Sequence, residues 1–150
     1  MPRDNENEFL RWALRDNEAA VEMCRSIFRI SQVWDDLVDK DREVPGEEVS
    51  AAFWEALVNL PANPFYRQFE QHLRPLLIQY MTDFEDSARL ETEDDHGRNI
   101  SFVLRDSVGS IVSQCAFLVG GREWLRMVSP EVRRHIHEDP LEEYKKGVGL

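Results

Sequence analysis

Residues Ser31 to Asp41 read SQVWDDLVDKD, and this short run carries carboxylates at Asp35, Asp36, Asp39 and Asp41. On a helix, at about 100° per residue with Asp35 set to zero, Val21, Cys24 and Phe28 fall at about +40, −20 and +20°. Ala20, Ile27 and Val38 fall at about −60, −80 and −60° on the same wheel. Asp35 and Asp39 therefore point into the apolar arc, and Asp36, at about +100°, lies on its edge. Ser31 and Gln32 extend a polar patch within that inward face. A solvated charge run would sit opposite the core stripe. These acids also occupy the last turn of their helix, where the negative end of the macrodipole disfavours each carboxylate by about 0.3–1 kcal/mol. Asp35 and Asp39 repel each other as an i,i+4 pair as well. A cation relieves both penalties. Oxygen ligands without nearby His or Cys suit a hard ion such as Mg²⁺, which holds one or two carboxylates, waters and substrate phosphates.

A second polar constellation lies downstream, in RNISFVLRDSVGSIVSQCAFLVGG. Asp106, Ser110 and Gln114 recur at i, i+4 and i+8, opposite an apolar arc that includes Leu104, Val108, Ile111 and Cys115. An exposed face in so charged a chain would carry Glu, Lys and Arg. Small hydroxyls and one amide, with Val103 and Phe117 interleaved, suit a cavity wall or a tight helix contact. Gly109 beside the stripe permits close approach.

Together the two patterns, DDxxD at 35–39 and D-x-x-x-S-x-x-x-Q at 106–114, resemble the two metal-binding motifs of class I isoprenoid (terpenoid) synthases. The resemblance implies an all-α bundle in which facing motifs hold Mg²⁺ ions that grip a prenyl diphosphate. Asp35, with Asp36 or Asp39, would take the first role and Asp106 and Ser110 the second, with Arg105 contacting the diphosphate. Gln114 stands where the family has Glu, so a neutral carbonyl oxygen replaces one anionic ligand. The chain is shorter than a usual synthase, so a dimer or a reduced bundle would complete the cavity. WDDLVDKD followed by LVGGREW also resembles small bacteriophage-type proteins.

Two other readings stay open on the same residues. In one, the inward acids are met by arginines such as Arg25, Arg29 or Arg105, and the chain is a non-catalytic helical interaction protein whose acidic surface meets a protein partner. In the other, carboxylates serve an all-α nucleotide-pyrophosphatase-like hydrolase, although no pair of ExxE and ExxD motifs occurs at helical positions.

The elements that must position these residues are helical, because no stretch shows sustained two-residue alternation between hairpin turns. The punctuation predicts a compact bundle of five to six helices in one domain over 1–150, with no β-sheet. A short helix covers about Glu6 to Leu14, and Asp16 or Asn17 caps a long one through Asp39. After a turn at Asp41 to Gly46, a helix spans about Glu47 to Leu60. Asn63-Pro64 starts another that reaches about Glu91 and is kinked or broken at Pro75. ETEDDHG reads as a loop, and a long helix from Asn99 to Val119 stops at Gly120-Gly121. Ser129-Pro130-Glu131 opens a last short helix before an indistinct tail. The first long helix and the Asn99 to Val119 helix are expected side by side.

Composition bounds the rest. The 150 residues bury roughly 70% of the surface exposed when unfolded, so a core forms without disulfides or structural metal. With 18 basic and 29 acidic residues, the net charge of −11 repels phosphate backbones and anionic lipid and excludes nucleic-acid binding through a basic face. Hydrophobic residues at 42% rule out a disordered acidic tail. Cys24 and Cys115 sit in apolar helical patterns and read as buried reduced thiols, consistent with a cytoplasmic setting, the host's if the source is viral. No apolar run follows the first residues and no 18 uninterrupted apolar residues occur, so neither a signal nor a membrane span is expected. His135 and His137 lie about 200° apart on a helix, poor geometry for one metal ion. His96 reads as loop polarity, His72 as a boundary residue, and the four Trp as core or subunit-interface anchors of a homo-oligomer.

Overall fold

The computed structural model describes residues 5–148 and is all-α, with no strand among the described residues. Helices α1 (Glu6–Ala13) and α2 (Glu18–Asp39) come first. Asn17 caps α2 by accepting from the Ala20 amide at 3.1 Å, which satisfies a donor that the first turn leaves unpaired. α2 is the central element, and Ala20, Val21, Met23, Cys24, Ile27 and Phe28 are buried on it. The angular reading of its apolar arc holds for Ala20, Val21, Cys24, Ile27 and Phe28, whereas Met23 and Ser26 are buried outside that arc. Val38, at the frayed end of the arc, is 41% exposed.

α3 (Gly46–Trp54) runs into a π-helical stretch, Glu55–Asn59, and then α4 (Leu60–Ala62). The wider turns relieve the clash that Pro61 would make with the carbonyl four residues earlier in a regular helix. Glu55 ties this segment to α2 by accepting from Ser26 and from Arg29 Nε at 3.0 Å. Phe53, Trp54, Leu57 and Val58 face outward from it. α5 (Pro64–Gln68) starts at a double cap, since Asn63 accepts from the Phe65 and Tyr66 amides while its own amide donates to Ala19 O. The break before α6 (Glu70–Leu90) falls at Phe69, not at the expected Pro75. Pro75 lies so near the start of α6 that its missing N–H removes a bond only from the first turns.

Two further corrections concern the downstream helices. Helix α7 (Asp95–Leu104) starts within the expected ETEDDHG loop, where Asp94 caps it by accepting from Gly97 N at 2.6 Å. The expected continuous helix from Asn99 to Val119 is broken at Arg105-Asp106, after which α8 (Ser107–Ile136) begins. α8 itself is interrupted at Gly121, whose φ of 80° and ψ of −173° suit glycine alone. The expected stop at Gly120-Gly121 is thus present, but the next arm starts at once, well before Ser129, and carries Pro130 in its interior. The second arm folds back on the first: a Cβ on Gly109 would meet Val132 and Ile136 at 2.9 and 3.0 Å. That close approach is what Gly109 permits. α9 (Leu141–Gly147), in the tail that looked featureless, has acids in its first turn and lysines in its last.

The core joins α1, α2, α5, α6 and both arms of α8 through Leu10, Met23, Leu73, Ile111, Val128 and Val132. Cys24 and Cys115 meet there as free thiols, 4.0 Å between sulfurs, and burial raises the Cys115 pKa first of all. The run Asp95–Gly147 contains a window apolar enough to cross a membrane by length and composition, and here its buried residues form core. α6 lies alongside α7 and α8, and α9 against α7, which brings the ends of α2, α6 and α7 together.

Candidate functional site

Where those ends meet, a cavity of about 900 Å³ opens between α2, α6, α7, the ends of α8 and α9. Phe28, Tyr80, Phe84, Phe102, Val108 and Ile136 supply apolar wall. Seven carboxylates and two guanidinium groups also line it, so the cavity carries a clear surplus of negative charge.

The charged centre is built from three chain segments. Asp35 and Asp39 come from the last two turns of α2, one helical turn apart. Glu91 follows α6 at its C-cap, and Arg105 follows α7 at its C-cap. Arg105 reaches Glu91 at 2.9 Å, Asp35 at 3.4 Å and Asp39 at 3.8 Å. Its guanidinium also stands over the Tyr144 ring of α9, 5.1 Å from the centroid, which is cation–π range. Tyr144 Oη donates to Glu91 at 2.7 Å and lies 2.7 Å from Ser101 Oγ, which in turn touches buried Ser87. Three acids thus converge on one cation.

The electrostatics follow from that ratio. Burial, then the hydrogen bond and charge of Asp35, raise the Asp39 pKa to about 7, and Arg105 only partly offsets them. Asp39 consequently gives up its proton only near neutrality. Burial works against the Arg105 cation, but Tyr144, Asp35 and Glu91 outweigh it and hold its pKa above the usual range. Burial and the bond to Glu91 raise the Tyr144 pKa, and burial carries Tyr80 to about 12 while its hydroxyl donates to Ser31 at 2.6 Å.

The remaining sequence-selected residues lie elsewhere. Asp36 is the most buried acid of the DDLVD run, at 7% exposure, although the helical wheel puts it on the edge. Its carboxylate faces away from the cavity to Arg42 Nε at 2.9 Å and Gln32 Nε2 at 3.2 Å. Lys40 in the left-handed conformation turns the chain back, and this is why Arg42 can reach it. Asp106 does not face the aspartates of α2. The turn between α7 and α8 sends Arg105 into the cavity, whereas Asp106 does not line it and instead meets Arg133 at 2.7 Å and His137, a residue of the cavity wall, at 3.2 Å. Ser110 is exposed, and Gln114 bonds His72 at 2.8 Å. None of Asp106, Ser110 and Gln114 lines the cavity. The expected stripe is therefore not a second wall of this site.

Of the arginines expected to meet the inward acids, Arg105 does so. Arg25 and Arg29 pair with Glu22, and Arg29 also with Glu55. Sequence reasoning missed Glu91, Tyr144 and Arg98, which also lines the cavity. A usable signal for Tyr144 existed in PLEEYKK, a proline-initiated segment with Glu first and Lys last.

The donor set also bears on Mg²⁺. Asp35, Asp39 and Glu91 offer hard oxygens, but the guanidinium of Arg105 already stands among them. As placed, no group of three or more His, Cys, Asp or Glu among the described residues is spaced to hold one metal ion. A divalent ion at this cluster would compete with the guanidinium. Comparisons with family models, curated proteins and solved structures return no match to this chain.

Proposed function

We propose that the chain is a small-molecule-binding helical bundle whose cavity receives a positively charged group at Asp35, Asp39 and Glu91. The observation that carries this reading is the three-to-one meeting of carboxylates with Arg105, inside a cavity whose lining is acidic overall. Arg105 satisfies only part of the negative charge. Its contacts support that chemistry: N–H donors at hydrogen-bond distance from the acids, with the guanidinium over an aromatic ring. A primary ammonium or a guanidinium has that chemistry.

A second reading keeps the cation as Mg²⁺ and adds a diphosphate. It is favoured by the position of Asp35 and Asp39 at the negative end of α2, as in the aspartate-rich helix of class I terpenoid synthases. Only the first of the two motifs then contributes, and the metal would serve to neutralise phosphate charge.

Thermal unfolding distinguishes these. A ligand that binds only the folded state raises the midpoint in proportion to its saturation. Octylamine at millimolar concentration is expected to raise it, and Asp35→Asn with Asp39→Asn to abolish the rise. A rise with Mg²⁺ plus pyrophosphate but not with octylamine selects the second reading. No rise in any arm overturns both and leaves the Asp–Arg cluster as internal packing of an interaction protein. In that protein the exposed Phe53, Trp54, Leu57 and Val58 face would meet the partner or a second copy, which the solution mass reports.

A further inference from the structure

Arg98 is the other cation in the cavity, and it differs from Arg105 in its acids. It makes no ion pair among the described residues, while its Nε, like that of Arg105, is buried without a hydrogen-bond partner. Asp95, whose carboxyl feels the Arg98 charge, makes its ion pair with Lys145 at 2.7 Å. A buried N–H left unpaired costs about 1–3 kcal/mol, so an acceptor is called for at this point. Arg98 and Arg105 lie seven positions apart along α7 and its cap, which is two turns, hence the same face and about 10 Å of helix axis. Phe102 sits between them and lines the same cavity.

From this placement we infer that the ligand is a zwitterion: its cationic end lies at Asp35, Asp39 and Glu91, its anionic end, a carboxylate or a phosphate, on Arg98, and an apolar stretch between them packs on Phe102. The inference rests on the cation reading above and adds the second end and the length. The acid cluster rejects an anion, because Arg105 is already outnumbered there. The anion is accordingly directed to the guanidinium with no carboxylate of its own. The aromatic wall between the two ends suits methylene groups rather than a second charge.

Calorimetric titration with ω-aminoalkanoates, from aminobutanoate to aminododecanoate, tests the length and both ends. Octylamine and octanoate serve as single-ended controls. Affinity is expected to peak near aminooctanoate, whose ends are spaced by about the two helical turns that separate the arginines. Aminooctanoate should bind about tenfold or more tightly than octylamine, as one charge-assisted contact provides. Arg98→Met should remove that advantage and leave octylamine binding unchanged, and Arg98→Lys, which keeps the charge, should retain part of it. Equal thermal midpoints for the variants and the parent show that folding is intact.

An advantage that is absent in the parent chain, or that survives both substitutions, overturns the zwitterion while the cation reading stands on octylamine. Octanoate binding that depends on Arg98, with no octylamine binding, overturns the cation reading instead and reduces the ligand to a simple anion. Binding of inorganic phosphate as tight as that of aminooctanoate overturns the length requirement.

Discussion

Two clusters of acid flank the turn at Arg105-Asp106, and they differ above all in how many bases meet them. On the cavity side, Asp35, Asp39 and Glu91 share a single guanidinium. Behind the cavity wall, Asp106 alone is met by Arg133 and His137, and His137 is braced against Phe102 at 4.3 Å between ring centroids. Both set carboxylate against arginine. What differs is the ratio of acid to base, and it decides which cluster can accept a further cation. The Asp106 cluster is closed, because each charge has a partner and any addition would leave one unpaired. The Asp35 cluster is open, because removing water from three carboxylates around one cation leaves negative charge that the protein itself does not neutralise.

The largest effect should come from taking away the shared cation. Arg105→Met leaves three converging carboxylates in a partly buried site and is expected to destabilise the fold by about 3 kcal/mol in denaturant titration. The corresponding change on the closed side, Arg133→Met, should cost under about 1 kcal/mol, because Arg133 is 61% exposed and His137 remains. Equal costs for the two would erase the distinction between open and closed clusters.

Next in size is the response to pH. The Asp39 pKa is about 7 in the folded protein and below 4 in the unfolded chain, so the folded state binds the extra proton between these values. Stability from this group is fully present below the unfolded value and is lost as pH rises through about 7. The midpoint should therefore fall between pH 5 and pH 8, and Asp39→Asn should flatten that fall. A slope unchanged by Asp39→Asn would place the titrating proton elsewhere. Asp106→Asn should leave the slope on this limb intact.

Smaller still is Arg42→Met, which removes one partner of Asp36 and leaves Gln32. A modest drop in midpoint is expected, with octylamine binding unaltered, because Asp36 faces away from the cavity. The smallest effect belongs to Gln114→Ala, which breaks an exposed bond to His72 and should stay within about 0.5 kcal/mol. Any change in the Mg²⁺ response of Gln114→Ala or Ser110→Ala would return the second motif to the site and sharpen the likeness to terpenoid synthases.

Local sequence rules are enough to make the chain helical, to set where its first long helix begins and ends, and to turn Asp35 and Asp39 inward. All three follow from local rules: apolar period, the Asn17 cap, and a fixed angle per residue. Gly109 as a point of close approach and the buried thiols were legible for the same reason. The partners of the acids were not. The Asp106, Ser110 and Gln114 stripe assumes an unbroken helix, and a turn of two residues at Arg105-Asp106 was enough to give neighbouring side chains different partners. Gly121 then doubled α8 back so that Arg133 and His137, far along the chain, took Asp106. Asp36, on the edge of the wheel, became the most buried acid of its run because Lys40 turned Arg42 onto it. Glu91, Tyr144 and Arg98 joined the cavity only through the docking of α6, α7 and α9. Periodicity sets the direction in which a side chain leaves its own helix, whereas its partner depends on which other helix arrives there, and only the tertiary structure decides that.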